Sequence, residues 1–113
     1  MKLEVEDGAQ VLVIRVDAAR IDAAAAIQFK DRMREAFACP APRVVLDLSR
    51  VDFMDSSGLG AVVAAMKLIA PGRRLELAGL SPTVDKVFRL TRMDRVFTIH
   101  ASVAQAMDLR HAG

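Results

Sequence analysis

Val44 to Lys67 reads VVLDLSRVDFMDSSGLGAVVAAMK, an apolar strand-like run followed by an apolar helix-like run, with a short polar joint between them. Val44-Val45-Leu46-Asp47-Leu48 is nearly all apolar, as expected of an interior strand covered on both faces. The helix is expected from about Ser57 to Ile69, ended by Pro71-Gly72, and Lys67 is its only charge. Most of its circumference should therefore be buried. The joint, Asp55-Ser56-Ser57-Gly58-Leu59-Gly60, puts two hydroxyls at a helix start. The first turn of a helix has amides without intrahelical partners and a partial positive charge, so a serine there either caps the helix or carries an anion.

Working outward, Leu3-Glu4-Val5-Glu6 alternates apolar and charged residues, and Asp7-Gly8 turns into Val11-Leu12-Val13-Ile14-Arg15-Val16. This spacing predicts an N-terminal hairpin. Asp22 is placed to cap a helix running to about Phe37, with Ala26, Phe29, Met33 and Phe37 on one face; Pro40 and Pro42 end it. On the other side, Arg74 to Ala78 alternates as a strand. Ser81-Pro82 then supplies a cap and a first-turn proline for a helix with Val84, Val87, Phe88 and Thr91 on one side. Val96-Phe97-Thr98-Ile99 is predicted as a short strand. Ser102 should cap a last helix carrying Val103, Ala106 and Met107, before a frayed polar tail. The order strand-strand-helix-strand-helix-strand-helix-strand-helix predicts one α/β domain over residues 1–113, with a mixed, mostly parallel sheet, an N-terminal hairpin and about four helices.

Composition supports this reading. Of 113 residues, 53% are hydrophobic and 27% charged, enough apolar side chain for a core and too much for disorder. Sixteen basic against fourteen acidic residues give a formal charge of +2. The basic residues are scattered, and without Trp or Tyr there is little to stack bases on, so no nucleic-acid partner is expected. The one cysteine, Cys39, excludes an internal disulfide and reads as a partly buried structural thiol. His100 and His111 have no ligand companions at metal spacing, and no cofactor is implied. The start, MKLEVEDG, lacks the apolar core of a signal peptide, and no run approaches a membrane span, so a cytoplasmic location without membrane partners is expected.

Taken together, the strand VVLDLS, the bridge VDFMDSSGLG and the apolar helix resemble the phosphorylation loop of the STAS-domain anti-sigma factor antagonists. Arg20-Ile21-Asp22 before an Ala-rich helix is similar to the first turn of that family. Leu77-Ala78-Gly79-Leu80-Ser81-Pro82 with Val87-Phe88-Arg89-Leu90 is similar to its later strand-to-helix passage. The resemblance implies a non-enzymatic phosphoprotein of a bacterial partner-switching system. Its phosphoacceptor is Ser56, and Asp22, Met54, Asp55, Ser57, Gly58, Leu59 and Gly60 form the surrounding partner-binding set. Implied partners are an anti-sigma factor with serine/threonine kinase activity, bound when Ser56 is unmodified and released on its phosphorylation, and a phosphoserine phosphatase. Asp22 reads equally well as a helix cap, Asp55 as a carboxylate stabilised beside the positive helix end, and Met54 and Leu59 as core. Gly58 would let a partner approach the backbone closely. The family often has a glycine just before the Leu-Asp or Ile-Asp of its first turn, whereas this chain has Ala19-Arg20-Ile21-Asp22, which implies a somewhat different partner-facing surface.

A non-switched STAS scaffold of a lipid-transport or sensory complex shares the resemblance. A serine hydrolase would have to draw on Ser56, His100 and Asp47, without a G-x-S-x-G elbow. A nucleotide-binding loop would need the Walker lysine or the dinucleotide glycine spacing, which DSSGLG lacks.

Overall fold

The computed structural model describes residues 1–112, with side chains described through Asp108. β1 (Lys2–Glu6) and β2 (Val11–Asp17) form the expected antiparallel hairpin, with Leu3 opposite Val16 and Val5 opposite Ile14. Beyond β2 the sheet is parallel, through β4 (Arg43–Asp47), β6 (Arg74–Ala78) and β7 (Ile99–His100), in the order β1-β2-β4-β6-β7. β4 lies at the centre, and four of its five residues are buried, which is why its sequence is continuously apolar instead of alternating.

The two faces of this sheet differ. Leu12, Ile14, Val16, Val44, Leu46, Leu75 and Leu77 join the main core, under α1 (Ala23–Ala36), α2 (Ser56–Leu68) and α3 (Pro82–Leu90). α1 contributes Ala26, Phe29 and Met33 to that core, at the spacing of one helical stripe. The opposite face carries Val11, Val13, Val45 and Ala78 beneath Ala106 of α4 (Val103–Ala112), flanked by charged residues from the strands. The helix α4 runs through the segment expected as a frayed tail. The side chains of residues 109–112, His111 among them, and Gly113 lie outside the described residues.

Three expectations need correction. α2 is not mostly enclosed: Gly58, Ala61, Val62 and Ala65 are buried, while Ser56, Ser57, Gly60, Lys67 and Leu68 are exposed. Its small residues allow close packing on one side, and the other faces solvent. Val96 to Thr98 are not strand, which is confined to Ile99–His100. Arg92, in a left-handed conformation (φ 62°), begins a 3-10 turn at Met93–Arg95; Val96 is 50% exposed, and only Ile99–His100 pair with β6. Phe97 is instead a single buried plug, edge-on to Phe88 with ring centres 5.9 Å apart. Finally, α3 buries Val84 and Phe88, but Thr91 is exposed at its end, donating its hydroxyl to the Val87 carbonyl at 2.7 Å.

The end of α1 shows how loops are held. Its last carbonyls are met by the following amides, Phe37, Ala38 and Cys39 donating to Met33, Glu35 and Ala36, and in the connection beyond them the Arg73 guanidinium donates to the carbonyls of Phe37 (3.0 Å), Cys39 (2.5 Å) and Ala41 (2.8 Å). One side chain thus joins the turn before β6 to the α1–β4 connection. Arg73→Ala should cost about 2 kcal/mol, because hydrogen bonds from charged groups are worth roughly 1.5–3 kcal/mol and these carbonyls are only partly open to water. Urea unfolding checks this; a loss below about 0.5 kcal/mol would mean that water replaces the clamp freely.

Candidate functional site

Two short strands missed by sequence reasoning organise the site. β3 (Arg20–Ile21) and β5 (Phe53–Met54) pair in parallel, Arg20 opposite Phe53 and Ile21 opposite Met54. Each is followed at once by an aspartate that caps a helix. Asp22 Oδ1 accepts the Ala25 amide at 3.1 Å at the head of α1, and Asp55 Oδ1 accepts the Gly58 amide at 2.9 Å at the head of α2. The tripeptides Arg20-Ile21-Asp22 and Phe53-Met54-Asp55 are therefore equivalent devices. That repeat, of a side chain, a buried apolar residue and a capping aspartate, was the signal in the sequence for the ribbon.

The cap assignment decides what the serines can do. A serine cap was one expectation, but Asp55 makes the capping bond. Ser56 and Ser57 occupy the first two positions of α2, and both are exposed. An exposed hydroxyl at the first turn, beside unpartnered amides and the positive end of the helix, is well placed to accept an anionic group.

Around it the expected residues divide. Asp22 and Asp55 are half-buried, Leu59 is half-buried against the core, and Gly60 is exposed. Met54 is 2% exposed and Gly58 is buried, so these two support the loop from beneath and present nothing to a partner. For Gly58 the reason is close packing: a Cβ there would stand 2.0 Å from the Ile21 carbonyl oxygen of β3. The glycine that leaves outer space free is Gly60, where an added Cβ meets nothing within 4 Å. Arg20 and Phe53, given no role from sequence, are both exposed at the site. The Arg20 guanidinium lies 4.6 Å from the centre of the Phe53 ring.

The loop that delivers Phe53 to Ser56 is tied at several points. The Asp52 amide donates to the Ala19 carbonyl at 2.8 Å, and the Ser81 hydroxyl donates to the Val51 carbonyl at 3.1 Å. Ala19 serves here without a positive φ. At the end of β4, Asp47 accepts the Arg15 Nε and the Ser49 amide, both at 2.9 Å. Burial pushes the Asp47 carboxyl up, but the bonds from Arg15 and Ser49 outweigh it and hold it below the ordinary carboxylate value. It stays charged, fixing the turn into the loop.

The groups a hydrolase would need are not joined. Asp47 bonds to Arg15, and His100 Nε2 lies 2.7 Å from Glu76 Oε1 on the α4 side of the sheet. Ser56 begins a helix on the other side. Among the described residues no group of three or more His, Cys, Asp or Glu is placed to hold a metal ion, and no helix is long and apolar enough to cross a membrane.

The STAS domain family matches residues 1–106. This chain belongs to the STAS family. The anti-sigma F factor antagonist of Paenibacillus polymyxa is 26% identical over 109 residues, covering 95% of this chain and 92% of that protein. An anti-sigma-factor antagonist STAS protein from Planctomyces limnophilus superposes with a TM-score of 0.85 at 26% identity, over 98% of both chains. The antagonist SpoIIAA, solved unphosphorylated, gives a TM-score of 0.78 at 27% identity over 99% of this chain and 98% of its own. The Bacillus SpoIIAA in its phosphorylated form gives 0.69 at 27% identity over 95% and 97%. In this STAS domain the DSSGLG segment is thus the solvent-facing start of α2, set on the β3–β5 ribbon.

Proposed function

We propose that this STAS domain is an anti-sigma factor antagonist switched by phosphorylation of Ser56. The observation that carries this reading is the exposure of Ser56 at the first position of α2, its helix already capped by Asp55, so that the hydroxyl has no structural duty. The relatives named as antagonists, and the existence of SpoIIAA in both forms, support it.

In this reading the unmodified surface around Ser56, Asp22 and Gly60 docks on an anti-sigma factor that is itself a serine/threonine kinase, keeping it from its sigma factor. The partner then transfers the γ-phosphoryl group of ATP. The Ser56 oxygen bonds to phosphorus, the bond to the ADP oxygen breaks, and the hydroxyl proton leaves to the partner's base or to water. The product carries about −1.5 to −2 charge where there was none, next to the capping carboxylate of Asp55. Like charges at a packed interface cost several kcal/mol, so the complex separates. A phosphoserine phosphatase resets the switch.

Ser56→Ala should keep partner affinity within about twofold while abolishing phosphate incorporation, and Ser56→Asp should weaken binding by about tenfold or more. Titration calorimetry with the cognate kinase measures both; equal affinities for the two variants would refute the switch. The exposed neighbour Ser57 serves as the control, since Ser57→Ala should leave incorporation in place.

A further inference from the structure

Arg20 and Phe53 form a preorganised pair that the serine alone gives no work. They are opposite each other in the ribbon, so their side chains leave the same face. Arg20 Nε stands 3.6 Å from Asp22 Oδ2. A charge-assisted hydrogen bond would measure about 2.7–2.9 Å, so this aspartate attracts Arg20 without binding it. Asp22 is already engaged, its other oxygen accepting the Ala25 amide. The Arg20 side chain is 63% exposed and rests on an aromatic face, an arrangement that holds a cation near one place without saturating its N–H donors.

Resting on the phosphoserine reading above, we infer that Arg20 is an internal receptor for phosphorylated Ser56: it leaves Asp22 and Phe53 and pairs with the new phosphate. The distances permit it. Ser56 is three residues beyond Phe53, so the two Cα atoms are at most about 11 Å apart, and Arg20 already covers the Phe53 ring. The residue after Arg20, Ile21, has its carbonyl oxygen packed under the first turn of α2 at Gly58. The base of the Arg20 side chain is therefore anchored against the same turn that carries the phosphate.

The exchange of partners has a driving force. Asp22 offers a single charge shared with a backbone amide. Phosphoserine offers about −1.5 to −2 and three acceptor oxygens, which match the planar guanidinium fork in a bidentate pair. The helix end stabilises the phosphate further, whereas Asp22 and Asp55 repel it; a mobile cation between them offsets that repulsion.

The consequence is a switch with two parts. Phosphorylation adds negative charge and also removes the arginine from the Phe53 platform, so a partner recognising the unmodified surface loses the Arg–Phe face together with the neutral serine. Exposed Arg and aromatic side chains are the residue types most often dominant at interface centres, so the second loss strengthens the first.

The test uses the full chain with phosphoserine incorporated at position 56 during translation, which makes it independent of any kinase. In 31P NMR the phosphate of the wild-type background should complete its second ionisation at a pH lower by about half a unit than in Arg20→Gln, the size expected of an exposed ion pair. The Arg20 Nε–H resonance should move on phosphorylation, and Arg20→Lys should recover part of the shift, through charge without the fork. Unfolding midpoints of the unmodified variants confirm that all remain folded. Superimposable phosphate titrations for wild type and Arg20→Gln, with an unmoved Arg20 resonance, would overturn the inference. Failure of a kinase to modify Ser56 would overturn the switch reading instead, and the two results are read on separate samples.

Discussion

Gly58→Ala is expected to destabilise the domain by about 3 kcal/mol or more, at the upper end of overpacking costs. The added methyl carbon would meet the Ile21 carbonyl oxygen at 2.0 Å, the Ile21 carbonyl carbon at 3.0 Å and the Met54 Cγ at 2.8 Å. Met54 is a flexible side chain and could yield. Ile21 is backbone, held on both sides: it pairs with Met54 in the ribbon and precedes the Asp22 cap of α1. Relief therefore requires α2 to move away from β3, which would also displace Ser56. Gly60 is the internal comparison. No atom lies within 4 Å of a Cβ there, and alanine favours helix over glycine by about 1 kcal/mol, so Gly60→Ala should leave stability unchanged or slightly raised. Urea unfolding of the two variants separates them; a Gly58→Ala protein within about 0.5 kcal/mol of wild type would show that the close approach is not rigid. If Gly60→Ala binds the anti-sigma partner less well while folding normally, the contact surface includes the outer side of the first α2 turn.

The two glycines illustrate how much of the site could be read from residues alone. The DSSGLG segment marks the joint correctly, because strand, turn and helix signals coincide there. Which glycine faces inward depends on β3, a two-residue strand too short to show any periodicity, and so the burial of Gly58 could not be read from the segment. The cap was ambiguous for a related reason. Asp55, Ser56 and Ser57 are all good caps by propensity, and only the path of the chain out of β5 selects the first. Elsewhere the reading succeeded where burial is one-sided or complete, as in β2, β4 and the Ala26-Phe29-Met33 stripe of α1. It failed at Val96 to Thr98, where β-branched and aromatic residues suggest a strand. Phe97 instead fills one hole against Phe88, and the left-handed Arg92 sets a turn that propensity would not assign to arginine.

The second large effect lies on the opposite face of the sheet, which the serine site does not use. Glu76 is 4% exposed and accepts Arg43 through both carboxylate oxygens, at 2.9 and 2.7 Å, as well as His100 Nε2 at 2.7 Å. Arg43 also donates to the Ala106 carbonyl at 3.0 Å, so β4, β6, β7 and α4 meet at one carboxylate. Glu76→Ala leaves the Arg43 charge nearly buried without its counter-ion, an outcome that costs about 3–5 kcal/mol. The wild-type network has a definite pH signature. Burial pushes the Glu76 carboxyl up, but the bonds from Arg43 and His100 outweigh that and hold it below the ordinary glutamate value. A carboxyl lowered on folding contributes stability that is complete above the unfolded value, near about pH 4.3, and is lost as pH falls through the lower folded value. Asp47, lowered by Arg15 and Ser49 against its own burial, acts in the same direction. Stability should therefore fall steeply below about pH 4, and Glu76→Gln, which cannot titrate, should show a shallower acid limb from a lower plateau. Equal acid limbs in Glu76→Gln and wild type would place the acid sensitivity elsewhere. Replacing Arg43, Glu76 and His100 together by Met, Leu and Leu should recover much of the loss of Glu76→Ala, since apolar packing can substitute for a complete ionic network but not for half of one. Such a variant would keep the Ser56 surface, on the other side of the sheet, and bind the anti-sigma partner as wild type does.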